Sequence, residues 1–185
     1  MAIVRVRMIR PSLERIPQHP LPADYAIHWY RPGDRETWVQ IHALAETHVP
    51  TSAAVYDQQF ERNEAELARR QAFLQDAKGN AIGTATAWFD DNYHGARFGR
   101  VHWVAIIPEH QGKGLAKPLL TAVCKRLVEL GHNRACLTTL TAKLPAIRLY
   151  LSFGFEPDIQ TDEDRRAWGD ALAKLDHLPR SPRPT

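Results

Sequence analysis

The hydrophobic positions of this chain change period several times, and each change marks an element. Tyr25–Tyr30 (YAIHWY) is an apolar and aromatic run of strand length. Arg31-Pro32-Gly33-Asp34 reads as a turn that ends in an N-cap, Asp34. Trp38, Ile41, His42, Leu44 and Ala45 then recur at helical spacing. Val49-Pro50-Thr51-Ser52 should break that helix. A second helix is expected from Ala54 to about Arg69, interrupted near Asn63, which can cap a new segment. Tyr56, Phe60 and Leu67 would face the core. The apolar runs Gln71–Asp76 and Ala81–Phe89 flank Lys78-Gly79-Asn80 and predict a hairpin. Gly83 marks a bulge or a close backbone approach. Asp90–Phe98 reads as a connection, and Val101–Ile107 as a buried strand that Pro108 must end.

The second half is patterned differently. Leu115, Leu119, Val123 and Leu127 form one helical ridge, with Ala116, Leu120, Cys124 and Val128 beside it. Lys117, Thr121, Lys125 and Glu129 should face water, and Gly131 should stop the helix. Arg134–Thr139 predicts a short strand, parallel to Val101–Ile107 through this helical crossover. A short helix follows around Ala146–Phe155, with Pro145 at its first position and Gly154 at its end. Thr161–Leu175 predicts a last helix, capped by Thr161 or Asp162, with Trp168, Leu172 and Leu175 as its apolar stripe. Consecutive antiparallel strands followed by a helical crossover predict an α/β (α+β) fold, a mixed, mostly antiparallel sheet flanked by helices.

Length and composition add bounds. With 185 residues, 44% hydrophobic and 24% charged, one soluble domain is expected over residues 24–178. Residues 1–23 carry Pro11, Pro17, Pro20 and Pro22 and read as an extended lead-in, a solvated strap over the surface. Residues 179–185 read as a flexible tail. The formal net charge of +3 does not argue for nucleic acid, and the basic lead-in lacks interleaved aromatics. Cys124 and Cys136 sit in apolar patterns as reduced core residues, which suits a cytoplasmic protein. No run is long enough to span a membrane, and the first residues do not read as a signal peptide. No metal-ligand spacing stands out. Oligomeric state is not readable; a homodimer is one option.

The chemistry concentrates between Val101 and Leu120. Gly112 and Gly114 sit where a strand passes into a helix, so an anion can approach the backbone and meet the helix's first free N–H groups. GxGxxG lacks its third glycine, and GxxxxGK[ST] fails on spacing. The glycines either make a turn only or form a different phosphate loop. Gln111-Gly112-Lys113-Gly114-Leu115-Ala116 fits [RQ]xxGx[GA], which resembles the coenzyme A pyrophosphate loop of the GNAT superfamily of N-acyltransferases. One helix and one strand later, Ala146-Ile147-Arg148-Leu149-Tyr150 and Gly154-Phe155 resemble that superfamily's AxxLY and Gly-Phe motif. The resemblance covers Gly99–Pro157 closely and Tyr25–Phe89 more loosely.

The resemblance implies the GNAT fold, acetyl-CoA as cosubstrate and, most commonly in the family, an amine acceptor. It implies cofactor contacts from Gln111, Gly112, Lys113, Gly114, Leu115, Ala116 and Lys117. One departure stands out. Lys143 occupies the place where members often carry an Asn that supports the pantetheine arm or the helix start. Lysine cannot accept a hydrogen bond, but it can pair with a phosphate.

Acyl transfer to an amine needs a base, a polarised carbonyl and an acid for the leaving thiolate. His102 is a candidate base because histidine titrates near neutrality. It resembles a histidine of the superfamily's arylalkylamine branch, and a core histidine bonded to a neighbour is the other reading. Backbone N–H groups of Val104, Ala105 and Ile106 would polarise the carbonyl if the strand bulges there. Tyr150 is either the acid or a tyrosine packed in the core. His48, Tyr56 and Asp57 either line a pocket or serve core and surface. Two functions compete: an acetyl-CoA-dependent N-acetyltransferase, and a non-catalytic acyl-CoA-binding module of the same fold.

Overall fold

A computed structural model describes residues 3–60 and 63–177. Within it the chain forms two compact units, Ser12–Ala135 and a second made of Met1–Pro11 with Cys136–Thr185. The expected tail, 179–185, lies outside the described residues.

In the first unit, β2 (Ala26–Trp29), β3 (Gln71–Gln75), β4 (Ala81–Tyr93) and β5 (Ala96–Ile106) pair in that order, each antiparallel to the next. β4 and β5 run longer than the pattern predicted. Asp90–Phe98, read as a connection, is mostly ladder: Asp90 pairs with Phe98 and Tyr93 with Ala96. The reversal is only His94-Gly95, with φ of 51° and 76°, the paired positive angles of a tight hairpin turn.

Helices α1 (Asp34–Ala45), α2 (Ala53–Phe60) and α3 (Glu64–Arg70) connect β2 to β3. The predicted break at Asn63 is present, and its side chain accepts the N–H of Glu66 at 3.1 Å. Asp34 does not cap α1. Gly33 does so at φ 98°, and the Asp34 carboxylate instead accepts the Arg31 N–H at 2.8 Å and pairs with His28 Nε2 at 3.0 Å. Arg35 of α1 holds Asp57 of α2 through two bonds of 2.8 Å.

Tyr30, Trp38, Ile41, Tyr56, Phe60, Leu67 and Phe73 form an apolar cluster between these helices and one face of the sheet. Each such burial contributes roughly 1.5–3 kcal/mol. Tyr56, Phe60 and Leu67 are buried as expected, so Tyr56 is a core residue. Leu44 is exposed, as is His48.

Helix α4 (Ala116–Glu129) packs on β3, β4 and β5. A Cβ on Gly99 would sit 3.0 Å from Leu127 and 3.1 Å from His132, so this glycine admits the helix. Gly131 closes α4 as predicted, at φ 85°: its N–H donates to Val128 and that of His132 to Leu127. Two assignments of the helical pattern are corrected. Val128 is exposed, while Thr121 is buried and donates its hydroxyl to the Pro17 carbonyl at 2.9 Å. The lead-in is therefore held to the protein at particular points, while most of Glu14–Ala23 stays exposed or half-exposed. Leu13 is buried, and its N–H donates to Asn133 at 2.8 Å.

In the second unit, β6 (Ala135–Leu140, all but its first residue), β1 (Arg5–Arg10) and β7 (Glu156–Pro157) lie side by side, β1 and β7 antiparallel. The hydrophobic pattern does not predict β1. Proline density masked a six-residue strand whose Val6 and Met8 are fully buried. Arg10 is buried too, and its guanidinium donates to the Phe153 carbonyl. Helix α5 (Leu144–Ser152) carries Pro145 at its second position rather than its first. Helix α6 (Asp162–His177) begins at a reciprocal cap: Thr161 Oγ1 accepts the Asp164 N–H at 3.1 Å, and Asp164 accepts the Thr161 N–H at 2.9 Å. Cys124 and Cys136 are buried, as their apolar patterns suggest.

Candidate active site

The first unit brings most of the expected site residues onto one continuous stretch, the end of β5 and the start of α4. On β4, Thr84 pairs with Ala105 and Thr86 with His102, so three steps on β5 oppose two on β4. The extra residue makes a β-bulge. Trp103 sits there with φ 48°, a left-handed conformation that is unusual for a bulky residue and costs about 1–3 kcal/mol. A bulge takes backbone groups out of the ladder; here it spans Trp103 and Val104, and the register resumes at Ala105 and Ile106, opposite Thr84 and Gly83.

His102 is buried, with its ring 5.8 Å from that of Phe60. Burial pushes its pKa well below the ordinary histidine value, and the charges of Arg100 and His42 push it the same way. The imidazole is therefore neutral at physiological pH. Its Nε2 lies 3.1 Å from Gln59 Oε1, and that same oxygen accepts the indole N–H of Trp103 at 3.1 Å. Trp103 also stands edge-on to Trp38 and His42, each with centroids 5.1 Å away. No sequence signal singled out Gln59, since a lone glutamine on a helix has no spacing to betray it.

Beyond Ile106 the chain makes a single 3-10 turn, Pro108–His110, and enters the glycine loop. The Gln111 side chain donates to the Ile106 carbonyl at 2.7 Å and ties the loop to β5. Gly112 and Gly114 have φ of 74° and 77°, and a Cβ on either would meet nothing within 4 Å. Both need the left-handed region, and both leave the backbone approachable. Helix α4 starts at Ala116. Leu115 precedes it with no side-chain cap, the first turn has no acidic residue, and Lys117 is exposed there. An uncapped helix start with open glycines before it and a lysine on its first turn suits a phosphate group. On these observations the residues present fit the pyrophosphate of a coenzyme A thioester.

Tyr150 and Lys143 belong to the second unit. Tyr150 is buried on α5, with its ring edge-on to Phe155 at 6.1 Å. The turn after it is closed by Gly154 at φ 76°, and the Phe155 N–H reaches back to the Tyr150 carbonyl at 3.1 Å. Lys143 is the residue before α5 and provides no side-chain cap, so the helix-start role that an Asn would play there is missing. No group of three or more potential metal ligands occurs among the described residues, and no helix among them is long and apolar enough to cross a membrane.

Comparison with known proteins follows the same lines. The chain is 31% identical over 153 residues to the mycothiol acetyltransferase of Pseudarthrobacter chlorophenolicus, covering 76% of this chain and 45% of that protein. It is 30% identical over 159 residues to the mycothiol acetyltransferase of Catenulispora acidiphila, covering 80% and 49%. The chain thus spans about half the length of the curated relatives it matches. Among solved structures, a GCN5-related N-acetyltransferase from Sphaerobacter thermophilus superposes with a TM-score of 0.66 at 18% identity, over 84% of this chain and 50% of that one. The ribosomal-protein-S18-alanine N-acetyltransferase of Escherichia coli does so with a TM-score of 0.60 at 20% identity, over 73% and 79%. These structures bear out the fold, a mixed α/β arrangement with mostly antiparallel strands. Residues 22–155 match the acetyltransferase (GNAT) family, and the chain belongs to that family.

Proposed function

We propose that the chain is an N-acetyltransferase that moves an acetyl group from acetyl-CoA to a primary amine by direct attack. One observation carries this reading: the bulge at Trp103 and Val104 directly follows His102, on the strand that leads into the open glycine loop. When bound, acetyl-CoA supplies the thioester whose acetyl group is transferred.

The backbone of Gln111, Gly112, Lys113, Gly114, Leu115 and Ala116 would hold the pyrophosphate, with Lys117 adding positive charge. Lys143, in place of the usual Asn, offers a cation rather than an acceptor. The N–H groups of Val104, Ala105 and Ile106, at and just after the bulge, would polarise the acyl carbonyl. His102, or a water beside it, takes the proton that the amine loses as its nitrogen bonds to carbon. Neutrality of the buried imidazole favours that role, since only the unprotonated ring can act as a base. Tyr150 gives a proton to the departing sulfur.

The curated relatives carry the name mycothiol acetyltransferase. Their acceptor therefore belongs in the first panel of amines to be assayed. The test is thiol release from acetyl-CoA over that panel, beside a coenzyme A binding titration. Release with at least one amine is expected. Tight coenzyme A binding with no release over the panel would replace the enzyme by the acyl-CoA-binding module. His102→Ala should lower turnover mainly below the amine's own pKa, where deprotonation is required.

A further inference from the structure

In a regular strand, consecutive side chains point to opposite faces of the sheet. His102 and Trp103 are consecutive, yet both reach one atom, Gln59 Oε1, each at 3.1 Å. The positive φ of Trp103 makes this possible, because the extra residue of the bulge breaks the alternation and turns the indole to the face that His102 already occupies. Gln59, from α2, therefore closes a three-residue clamp over the bulge.

The chemistry of the clamp settles where a proton sits. An indole N–H can only donate, so the Gln59 atom it meets must be the carbonyl oxygen and not the amide nitrogen. That oxygen can only accept, so the His102 nitrogen facing it must carry hydrogen. His102 is thus held as the Nε2–H tautomer, with the lone pair on Nδ1. The charged and titratable groups that act on this ring are Arg100, on its own strand, and His42, on α1. Asp57, on α2 with Gln59, is engaged by Arg35.

We propose that Gln59 is a positioning residue for acyl transfer, holding His102 with Nδ1 as its basic atom and fixing Trp103 at the bulge. The proposal rests on the reading of His102 as the base. In the step it serves, the amine nitrogen bonds to the acyl carbon and its proton passes to Nδ1. The carbon–sulfur bond breaks, and the thiolate takes a proton from Tyr150. The imidazolium so formed keeps its Nε2–H bond to Gln59, which becomes a charge-assisted bond. A ring in the other tautomer would present N–H where a lone pair is needed.

The experiment combines ring ¹⁵N spectra of His102 with pH profiles of kcat/KM, in the wild type, Gln59→Leu and Gln59→Glu. The signal is assigned by its loss in His102→Ala. The wild-type ring should show the Nε2–H tautomer. Gln59→Leu should shift it toward Nδ1–H and lower kcat by about ten- to a thousandfold, with acetyl-CoA affinity kept within a few fold. Gln59→Glu keeps an acceptor at the same reach and serves where the leucine disturbs packing. It should hold the Nε2–H tautomer, recover much of the lost turnover, and move the acid limb upward in pH because a carboxylate favours imidazolium. A wild-type ring protonated on Nδ1, or a tautomer and turnover that ignore Gln59→Leu, would overturn the clamp and leave the base reading standing. Unchanged turnover in His102→Ala would instead remove the base, and with it any role for Gln59 in the reaction.

Discussion

Gly83 of β4 lies directly against Ala105 of β5: a Cβ on Gly83 would stand 2.9 Å from the Ala105 carbonyl oxygen. It would also stand 3.0 Å from Cγ1 of Ile106. The first of these neighbours is backbone and cannot rotate away, so even a methyl group must push the end of β5. That end carries the bulge and leads into the glycine loop. Gly83→Ala should therefore destabilise the fold by about 1–3 kcal/mol, read as a lower thermal midpoint. It should also weaken coenzyme A binding. A midpoint and an affinity equal to wild type would show that β5 gives way freely.

Gly114→Asp places a side chain and a negative charge where the uncapped start of α4 favours an anion. Aspartate tolerates a φ near 77° better than most residues, so the variant should fold. Coenzyme A affinity should fall by at least about tenfold, the loss of one favourable charge contact and its replacement by repulsion. Isothermal titration checks this. Undiminished affinity in a folded variant would move the pyrophosphate elsewhere.

Tyr150→Phe keeps a ring packed edge-on to Phe155 and removes only the hydroxyl. Acetyl-CoA affinity should stay within a few fold, while thiol release at saturating acetyl-CoA should drop by roughly ten- to a thousandfold. Wild-type turnover would take Tyr150 out of the mechanism. A large loss of affinity would make it a binding residue.

Stability should depend on pH through His102 and His132. Burial is the main cause of the lowered pKa of each; Arg100 and His42 add to it at His102, and Arg70 and Arg97 at His132, where Asp91 opposes. In the unfolded chain each histidine takes its proton near 6.5. Below that pH the unfolded state binds more protons than the folded state, so stability falls as pH falls. Above it the contribution is fully present. The thermal midpoint should be level from about pH 8 to 7 and decline toward about pH 5.5. His102→Gln should flatten part of that decline. A midpoint that rose on acidification would contradict the burial of neutral imidazoles.

Much of the fold was legible along the chain because its signals are local. Asn63 as a cap, Lys78-Gly79-Asn80 as a turn, and Gly131 and Gly154 as helix stops each follow from one residue's backbone preference or short reach. The glycine loop at Gln111–Ala116 and the AxxLY helix carried the family resemblance, and the family match over residues 22–155 agrees with it. What composition obscured was β1. Nearby prolines suggested a solvated lead-in, but strand pairing depends on a distant partner: Met8 lies opposite Pro157, and Ile9 opposite Glu156. Thr121 and Val128 were likewise exchanged between core and surface, since helical period marks a stripe and only the neighbouring chain decides its edges.

The amino-acid sequence by itself determined most of the elements, where the glycines free the backbone, and which side chains, His102 and Tyr150, are candidates to move protons. The tertiary structure alone decided that Trp103 turns to a positive φ, that His102 lies buried and neutral, and that Gln59 meets both residues with one oxygen. The physical reason is sequence separation. Gln59 stands 43 residues before His102, and nothing in its local spacing records the bond. A bulge likewise depends on how two strands count against each other, with three steps along β5 set against two along β4.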